Sequence, residues 1–315
     1  VSQMMDRRLD LATSAQAWCD TRSPLPKNSI YRSVEGRTEF QAYYDKTLEL
    51  LDAPVETSMH QTSYGLTRVT STGNPTGKPI IVLPGMSIAG PMMIDFFAYL
   101  AKDHWLIAPD LIGQPGRSAD VPFSPHNNAY GKWLIELLDA FGIDKIDIAA
   151  ASFGGSIGLE LLKLAPERVG KQALVVTAGV TPKLPYFKIY AKLFFTWIAY
   201  RYFPNKAILP AIARPLSRHL TSDNLDYLDI VIRQTAFWRH RPAGPFFKKD
   251  MPNSMEPVLI VFGKNDIMFP YIETKAHAEQ VLDIGHEFVL EESAHMPGDK
   301  EMAPIHKEIG AYFKN

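Results

Sequence analysis

The spacing of apolar residues changes along the chain, and this change separates two kinds of predicted structure. Over residues 36–51 apolar side chains recur three and four residues apart, which predicts an amphipathic helix. From Pro54 the period shortens, and residues 55–59 and 64–70 show the alternating, β-rich pattern of a hairpin. Residues 1–52 are therefore predicted to be a helical extension that packs on the outside of the core.

Short, continuous apolar runs then alternate with helical patterns. Such runs are typical of strands buried on both faces, and the helices between them indicate a mostly parallel central sheet flanked by helices, an α/β fold. These predicted strands lie at residues 80–83, 105–108, 146–151, 173–177, 258–262 and 287–290. Because ligands bind at the carboxyl ends of the strands in sheets of this class, we expect the functional residues there.

Residues 179–252 interrupt the alternation with an aromatic helical stretch and two further helical segments, near 207–220 and 224–238. We interpret this part as a helical cap, or lid, inserted between two parts of an α/β core formed by residues 53–178 and 253–315. The apolar side of such a lid would pack on the core and line a pocket. A second interpretation, contact with a membrane surface, stays open because the aromatic stretch is basic. Its basic residues are Lys183, Lys188, Lys192 and Arg201.

Composition narrows the classes of partner and cofactor. The 315 residues include 33 basic and 34 acidic side chains, and a net charge of -1 gives no general reason to expect nucleic acid. The single cysteine, Cys19, excludes an internal disulfide and a cysteine metal cluster, and the histidines show no metal-ligand spacing. No apolar run reaches the roughly 18 residues of a membrane span. We expect a soluble, cytoplasmic protein without metal or cofactor, either a monomer or a homodimer.

The apolar run 146–151 ends at Ser152, where glycines follow and a helical pattern begins. A serine on a sharp strand-to-helix turn is a nucleophile elbow, in which small neighbours avoid collision with the flanking strand and helix. Ala150 replaces the glycine that usually stands two residues before the serine, which is a mild departure. The alternative is a serine that only caps the helix.

Asp266 and His295 follow two later strands, so the chain order is serine, acid, histidine. A serine hydroxyl is a poor nucleophile at neutral pH and needs a base whose pKa lies near about 7, which histidine provides. The carboxylate of Asp266 would hold the imidazole in the required tautomer and stabilise the imidazolium. We therefore predict that Ser152, Asp266 and His295 form a catalytic triad.

The negative charge that develops on a substrate oxygen requires preorganised hydrogen-bond donors. The backbone N–H of Phe153, at the start of the helix after the elbow, is one predicted donor. The other should come from the loop that follows strand 80–83, where Met86 is our candidate. These two N–H groups form the predicted oxyanion hole.

The chain resembles the α/β-hydrolase fold superfamily from about residue 55 to the C-terminus. Within that superfamily it is most similar to capped bacterial carboxylesterases. Five pieces carry the resemblance in the expected order, and together they are far more specific than any one alone. They are Leu-Pro-Gly-Met at 83–86, Ala-Pro-Asp-Leu-Ile-Gly-Gln-Pro-Gly-Arg-Ser at 108–118, Ala-Ala-Ser-Phe-Gly-Gly at 150–155, Phe-Gly-Lys-Asn-Asp at 262–266 and Ser-Ala-His at 293–295.

Two departures from the superfamily pattern lie in the loops around the site. The family usually has His-Gly where this chain has Pro84-Gly85, which removes a side chain that anchors the loop of Met86. The Asp110 loop carries one residue more than usual, which we assign to Pro115. We interpret Asp110 and Ser118 as structural residues that hold their loop by hydrogen bonds.

The triad and the resemblance together predict a serine hydrolase that cleaves a small-molecule carboxylic ester through an acyl-enzyme. The aromatic cap favours an apolar acyl or alcohol group. The same residues would also serve hydrolysis of a thioester, a lactone or a carbon–carbon bond, or acyl transfer, and a lyase stays open. A third possibility, after ester hydrolysis and other chemistry on the same residues, is a ligand-binding member of the fold without turnover, since fold does not determine function. Haloalkane dehalogenases and related epoxide hydrolases use an aspartate nucleophile, and Ser152 disfavours both.

Overall fold

The computed structural model describes residues 23–121, 123–124, 126–183, 193, 195–217, 220–236 and 239–314. The first 22 residues of the predicted extension lie outside these ranges, as does most of the aromatic stretch between residues 184 and 194. The predictions made for those residues therefore stay predictions.

The core of the molecule is one eight-stranded sheet with the order β1-β2-β4-β3-β5-β6-β7-β8. The strands are β1 (Val55–Thr62), β2 (Gly65–Gly73), β3 (Lys78–Leu83), β4 (His104–Pro109), β5 (Ile146–Ala151), β6 (Val169–Val175), β7 (Val258–Gly263) and β8 (Ile284–Leu290). Strands β1 and β2 pair antiparallel, as do β2 and β4, whereas all pairs from β4 to β8 are parallel. The carboxyl ends of the parallel strands therefore share one edge.

Helices cover both faces of the sheet. The described helices are α1 (Val34–Leu50), α2 (Gly90–Phe97), α3 (Ala129–Phe141), α4 (Phe153–Leu164), α5 (Phe195–Tyr202), α6 (Leu209–Ala213), α7 (Ser222–Gln234), α8 (Tyr271–Val281) and α9 (Asp299–Lys314). Helices α3, α4 and α8 share one buried apolar cluster with the strands, for example through Trp133 and Ile157. Helices α2 and α9 share the other, for example through Ile94 and Ile309. This arrangement confirms the predicted mostly parallel sheet flanked by helices.

Strand β6 differs from its predicted bounds for identifiable reasons. It begins at Val169, four residues before the predicted start at 173. The prediction placed the start too late because the first residues of the strand include Gly170 and Lys171 and lack an apolar run. The ladder supports this start, since Val169 pairs with Ile146 of β5. The strand ends at Val175 because Val176 takes a φ of 42°, which no regular strand accommodates.

The described part of the N-terminal extension lies between α2 and the helices inserted after β6. Phe40 and Tyr44 of α1 are completely buried in a cluster that includes Ala89 at the N-terminus of α2 and Ile230 of α7. A β-bridge also joins Tyr31 to the residue that follows α7. The extension therefore contacts the helices that follow β6 as well as the α/β core.

Candidate active site

Ser152 occupies the turn between β5 and α4 in a strained conformation. Its φ of 48° and ψ of -114° lie outside the regions that L-residues normally adopt. Two backbone hydrogen bonds hold this geometry, one from the Ser152 N–H to the Val175 carbonyl and one from the Ala178 N–H to the Ser152 carbonyl, both 2.9 Å long. The backbone at the end of β6 therefore holds the serine in position, and the turn has the geometry of a nucleophile elbow.

The glycines after Ser152 are required by the close approach of neighbouring strands. A Cβ atom on Gly154 would lie 2.2 Å from the carbonyl oxygen of Leu83 at the end of β3. A Cβ atom on Gly155 would lie 1.7 Å from Oγ1 of Thr177, just beyond β6. Both distances are shorter than any van der Waals contact, so α4 can begin this close to the sheet only with glycine at these positions.

The structure brings Ser152, His295 and Asp266 into one hydrogen-bonded chain. Ser152 Oγ lies 2.9 Å from His295 Nε2, and His295 Nδ1 lies 2.8 Å from Asp266 Oδ2. The Asp266 side chain is 1% exposed and that of His295 is 13% exposed, so the imidazole is the part of the pair that solvent and substrate can reach. These are the contacts that a serine–histidine–acid triad requires.

Asp266 is held for this task by its own loop. Its second carboxylate oxygen, Oδ1, accepts the N–H groups of Met268 at 2.7 Å and Phe269 at 3.1 Å. Because Oδ1 is occupied in this way, Oδ2 is directed at the imidazole. The Phe269 ring also packs edge-on against His295, with 5.2 Å between the ring centroids.

The acid and histidine loops are joined to each other directly. The Asn265 N–H donates to the Ser293 carbonyl at 2.9 Å. At Gly263, the last residue of β7, a Cβ atom would lie 2.1 Å from the carbonyl oxygen of Ala294. The distance between the acid and the histidine is therefore set by backbone contacts between the ends of β7 and β8.

The two predicted oxyanion donors belong to segments next to Ser152. Phe153 is the first residue of α4, and the first N–H groups of a helix have no intrahelical acceptor. Met86 belongs to the loop after β3, and this loop passes close to the serine, since a Cβ atom on Gly85 would lie 3.7 Å from Ser152 Cβ. The helix dipole adds a partial positive charge at the Phe153 end.

Gln114 anchors the Met86 loop, and sequence reasoning missed this residue. Its buried side chain accepts the Ser87 N–H through Oε1 at 2.6 Å. Ser87 itself has a φ of 62°, an unfavourable left-handed conformation for serine, which must be held by its surroundings. Because Pro84 stands where the family usually has an anchoring histidine, an anchor from elsewhere was to be expected. The extra residue beside Gln114, Pro115, was the available signal.

Asp110 organises the loop after β4. Its Oδ1 accepts the Gly90 N–H at the start of α2, and its Oδ2 accepts the Arg117 N–H, each at 2.7 Å. The Ser118 hydroxyl donates to the Asp110 backbone carbonyl at 2.7 Å. Burial raises the pKa of the Asp110 carboxyl, while the two N–H donors oppose that rise. These contacts support the structural interpretation of Asp110 and Ser118.

Two further features of the described residues concern metal binding and membrane crossing. Within the described ranges, no group of three His, Cys, Asp or Glu side chains is arranged so that it could hold a metal ion. No helix in the described part of the chain combines the length and apolar character needed to cross a membrane.

The parallel sheet covered on both faces, with a serine at the turn after β5, defines the α/β-hydrolase class. The chain belongs to the Alpha/beta hydrolase family, whose model matches residues 80–304.

Individual relatives are distant but cover most of the chain. The uncharacterized carboxylesterase nap of Bacillus subtilis is 20% identical over 300 residues, which cover 91% of this chain and 96% of that protein. Carboxylesterase YbfK of the same organism is 22% identical over 284 residues, or 83% of this chain and 92% of that protein. The crystal structure of carboxylesterase CesB (YbfK) from Bacillus subtilis superposes with a TM-score of 0.74, at 18% identity over 89% of this chain and 98% of that one. At this identity the structural likeness establishes the fold.

Proposed function

We propose that this protein is a serine hydrolase of the carboxylesterase type, with Ser152, His295 and Asp266 as its triad. The observation that carries the proposal is the chain of hydrogen bonds from Ser152 Oγ through His295 to Asp266, 2.9 Å and 2.8 Å long. Similarity to two Bacillus subtilis carboxylesterases supports an ester of a small molecule as substrate.

The geometry supports acyl transfer through a covalent intermediate. Ser152 Oγ attacks the ester carbonyl carbon while His295 Nε2 accepts the hydroxyl proton, and the negative charge moves to the carbonyl oxygen. The N–H groups of Phe153 and Met86 would donate to that oxygen. Collapse of the tetrahedral intermediate breaks the bond to the alcohol, which takes the proton from His295. A water molecule, deprotonated by His295, then attacks the acyl-serine. The bond to Ser152 Oγ breaks, the acid is released, and His295 returns the proton to the serine oxygen.

Asp266 acts through the histidine. Its carboxylate accepts a hydrogen bond from the Nδ1–H group, which leaves Nε2 free to accept the proton of Ser152. When the imidazole becomes charged, the buried carboxylate lies 2.8 Å away and stabilises that charge.

We further propose that residues 179–252 form a cap over a core of residues 53–178 and 253–315. Described residues of this segment contact both the loop of His295 and the helix that follows Ser152. The N–H of Met296, next to the catalytic histidine, donates to the Leu216 carbonyl at 2.8 Å. The N–H of Ala243 donates at 3.2 Å to the hydroxyl of Ser156 on the nucleophile helix. These contacts support a cap that controls which ester reaches Ser152.

The test is hydrolysis of p-nitrophenyl esters from acetate to laurate by the wild type and by Ser152→Ala. Ser58→Ala is the matched control, since this exposed hydroxyl lies on the edge strand β1 and contacts His60. We expect hydrolysis by the wild type and the control and almost none by Ser152→Ala. The chain-length profile would show how large an acyl group the cap admits.

A fluorophosphonate probe separates the remaining outcomes. Labelling of Ser152 without ester hydrolysis would indicate a competent serine with another acyl substrate, such as a thioester or lactone, or with a carbon–carbon bond as target. Neither labelling nor hydrolysis would contradict the proposal and favour a ligand-binding role. Full activity in Ser152→Ala would exclude the serine mechanism.

A further inference from the structure

Large apolar side chains are concentrated on one exposed part of the described surface. Nine large hydrophobic residues are exposed in the described part of the chain, and five of them fall within 195–208, on and just after helix α5. We call these five the apolar face: Phe195, Ile198, Tyr202, Phe203 and Ile208. Phe203 is 80% exposed and Tyr202 is 64% exposed. Exposed apolar residues are common on protein surfaces, but they usually occur singly and not in a group such as this.

The apolar face is not the packing side of α5. The opposite side is already buried, since Tyr200 is completely buried and its hydroxyl donates to Asp229 Oδ1 of α7 at 2.8 Å. Trp197 packs on the same inner cluster. Ile198 and Tyr202, four residues apart, share the outer side of the helix. Helix α5 therefore has two apolar sides, one packed inward and one directed at solvent.

The sequence around the apolar face is strongly basic. Residues 179–222 contain seven lysines and arginines and no aspartate or glutamate, although the whole chain has a net charge of -1. Lys183 and Arg214 are exposed, and the Arg32 guanidinium lies over the Tyr202 ring, 5.9 Å from its centroid. Lys206 is exposed but forms an ion pair with Asp226 at 2.8 Å, so its charge is partly compensated.

We propose that the apolar face docks on an anionic lipid surface. Exposed aromatic and aliphatic side chains flanked by basic residues are the combination that binds membrane interfaces, the first through burial and the second through attraction to anionic headgroups. Such binding is peripheral and requires no spanning helix.

The charge pattern argues against the two other occupants. A second copy of the same face would bring two basic regions together, which is unfavourable. Residues 1–22 of this chain contain three basic and three acidic side chains and so offer no complementary charge. An anionic membrane is the partner whose charge is opposite to that of the sequence segment around the apolar face.

The test is sedimentation of the full chain with phosphatidylcholine vesicles, with and without about one-third phosphatidylglycerol. We expect binding about tenfold or more tighter with the anionic lipid, and weaker binding as salt rises. Phe203→Asp and Ile198→Asp should each weaken binding by about tenfold or more, because they remove buried apolar area and add negative charge. Ile272→Asp is the matched control, since Ile272 is 77% exposed on α8, and this variant should bind like the wild type.

Three results would overturn the docking proposal. These are absence of wild-type binding to the anionic vesicles, equal loss in Ile272→Asp, and a wild-type dimer by analytical ultracentrifugation that Phe203→Asp converts to monomer. Hydrolysis of a short soluble ester is measured in parallel and should be unchanged in all three variants. Vesicle binding without any hydrolysis would contradict the proposed function and leave the docking supported.

Discussion

The catalytic loops and the inserted helix α7 are held in place by different kinds of contact. The loops after β5, β7 and β8 are fixed by backbone hydrogen bonds and by approaches so close that only glycine fits, as at Gly155 and Gly263. Helix α7 meets the N-terminal segment at the apolar cluster and the β-bridge described above, and partly exposed polar side chains add to these contacts, with Arg233 and Gln234 both bonded to Glu39. Lys46 and Asp223 form a further ion pair between α1 and α7.

The difference indicates how each region responds to change. Backbone contacts between strand ends depend on the whole sheet, so single surface substitutions leave them intact. Ion pairs at a partly exposed interface are individually weak and sensitive to salt. We therefore expect the arrangement of the proposed triad to be robust to salt and the attachment of α7 to the N-terminal segment to be more sensitive to it.

The largest effect should come from the triad itself. His295→Ala removes the base, and Asp266→Asn keeps the shape but favours the wrong imidazole tautomer, so each should lower kcat by about 10⁴-fold or more. Steady-state kinetics on a soluble ester measures this, with circular dichroism to check folding. His286→Ala is the control, since His286 is exposed and bonded to Glu308. A loss below tenfold in His295→Ala would contradict the assignment.

A smaller effect, on stability, is expected at Glu160 of the nucleophile helix. This carboxylate accepts the Gly131 N–H at 2.7 Å, and burial raises its pKa to about 7. A carboxyl with a raised folded-state pKa costs stability once it ionises, so the cost is absent at low pH, grows above about 4.5 and is complete above about 7. Glu160→Gln lacks this cost and should gain relative to the wild type by up to about 3 kcal/mol as pH rises.

Urea unfolding of both proteins at pH values from about 5 to about 8 measures this difference. Glu167→Gln, at an exposed position after the same helix, controls for the loss of one charge. A stability difference between Glu160→Gln and the wild type that does not change with pH would contradict the prediction.

The next effect tests whether the catalytic region depends on a side chain outside the triad. Gln114→Leu removes the acceptor for the Ser87 N–H and should loosen the loop of Met86. We expect kcat to fall by about 10- to 100-fold with little change in KM, because an oxyanion donor acts mainly in the transition state. Gln114→Glu keeps an acceptor oxygen and should lose less. A rise in KM at constant kcat would instead indicate a contact with substrate.

The smallest effect is expected at the interface between α1 and α7. Glu39→Ala should lower the free energy of unfolding by about 1 kcal/mol or less, with the difference shrinking at high salt, because the pair with Arg233 is partly exposed. The coupling energy is measured by a double-mutant cycle with Arg233→Ala. We expect kcat on a short ester to be unchanged. Asp103→Ala, which breaks the distant pair with Lys314, is the control. A large loss of kcat in Glu39→Ala would remove the distinction between the two regions.

Much of the site could be predicted from local patterns. The run ending at Ser152 and the small residues after it indicate an elbow, because such a turn tolerates little else. Asp266 and His295 were expected together because each follows a strand, and the carboxyl ends of parallel strands meet at one edge. The bounds of β6 were harder, since polar residues at its start hide a strand that the ladder nevertheless requires.

The sequence by itself determined the order of strands and helices, the family and the three residues that meet at the strand ends. It did so because burial imposes apolar periodicity and sharp turns impose small residues, and both are local constraints. Only the tertiary structure decided that Gln114 supports Ser87, that Glu39 meets Arg233 and that the outer side of α5 stays exposed. These features depend on contacts between residues that are far apart in the chain, and the local spacing of apolar residues does not predict such contacts.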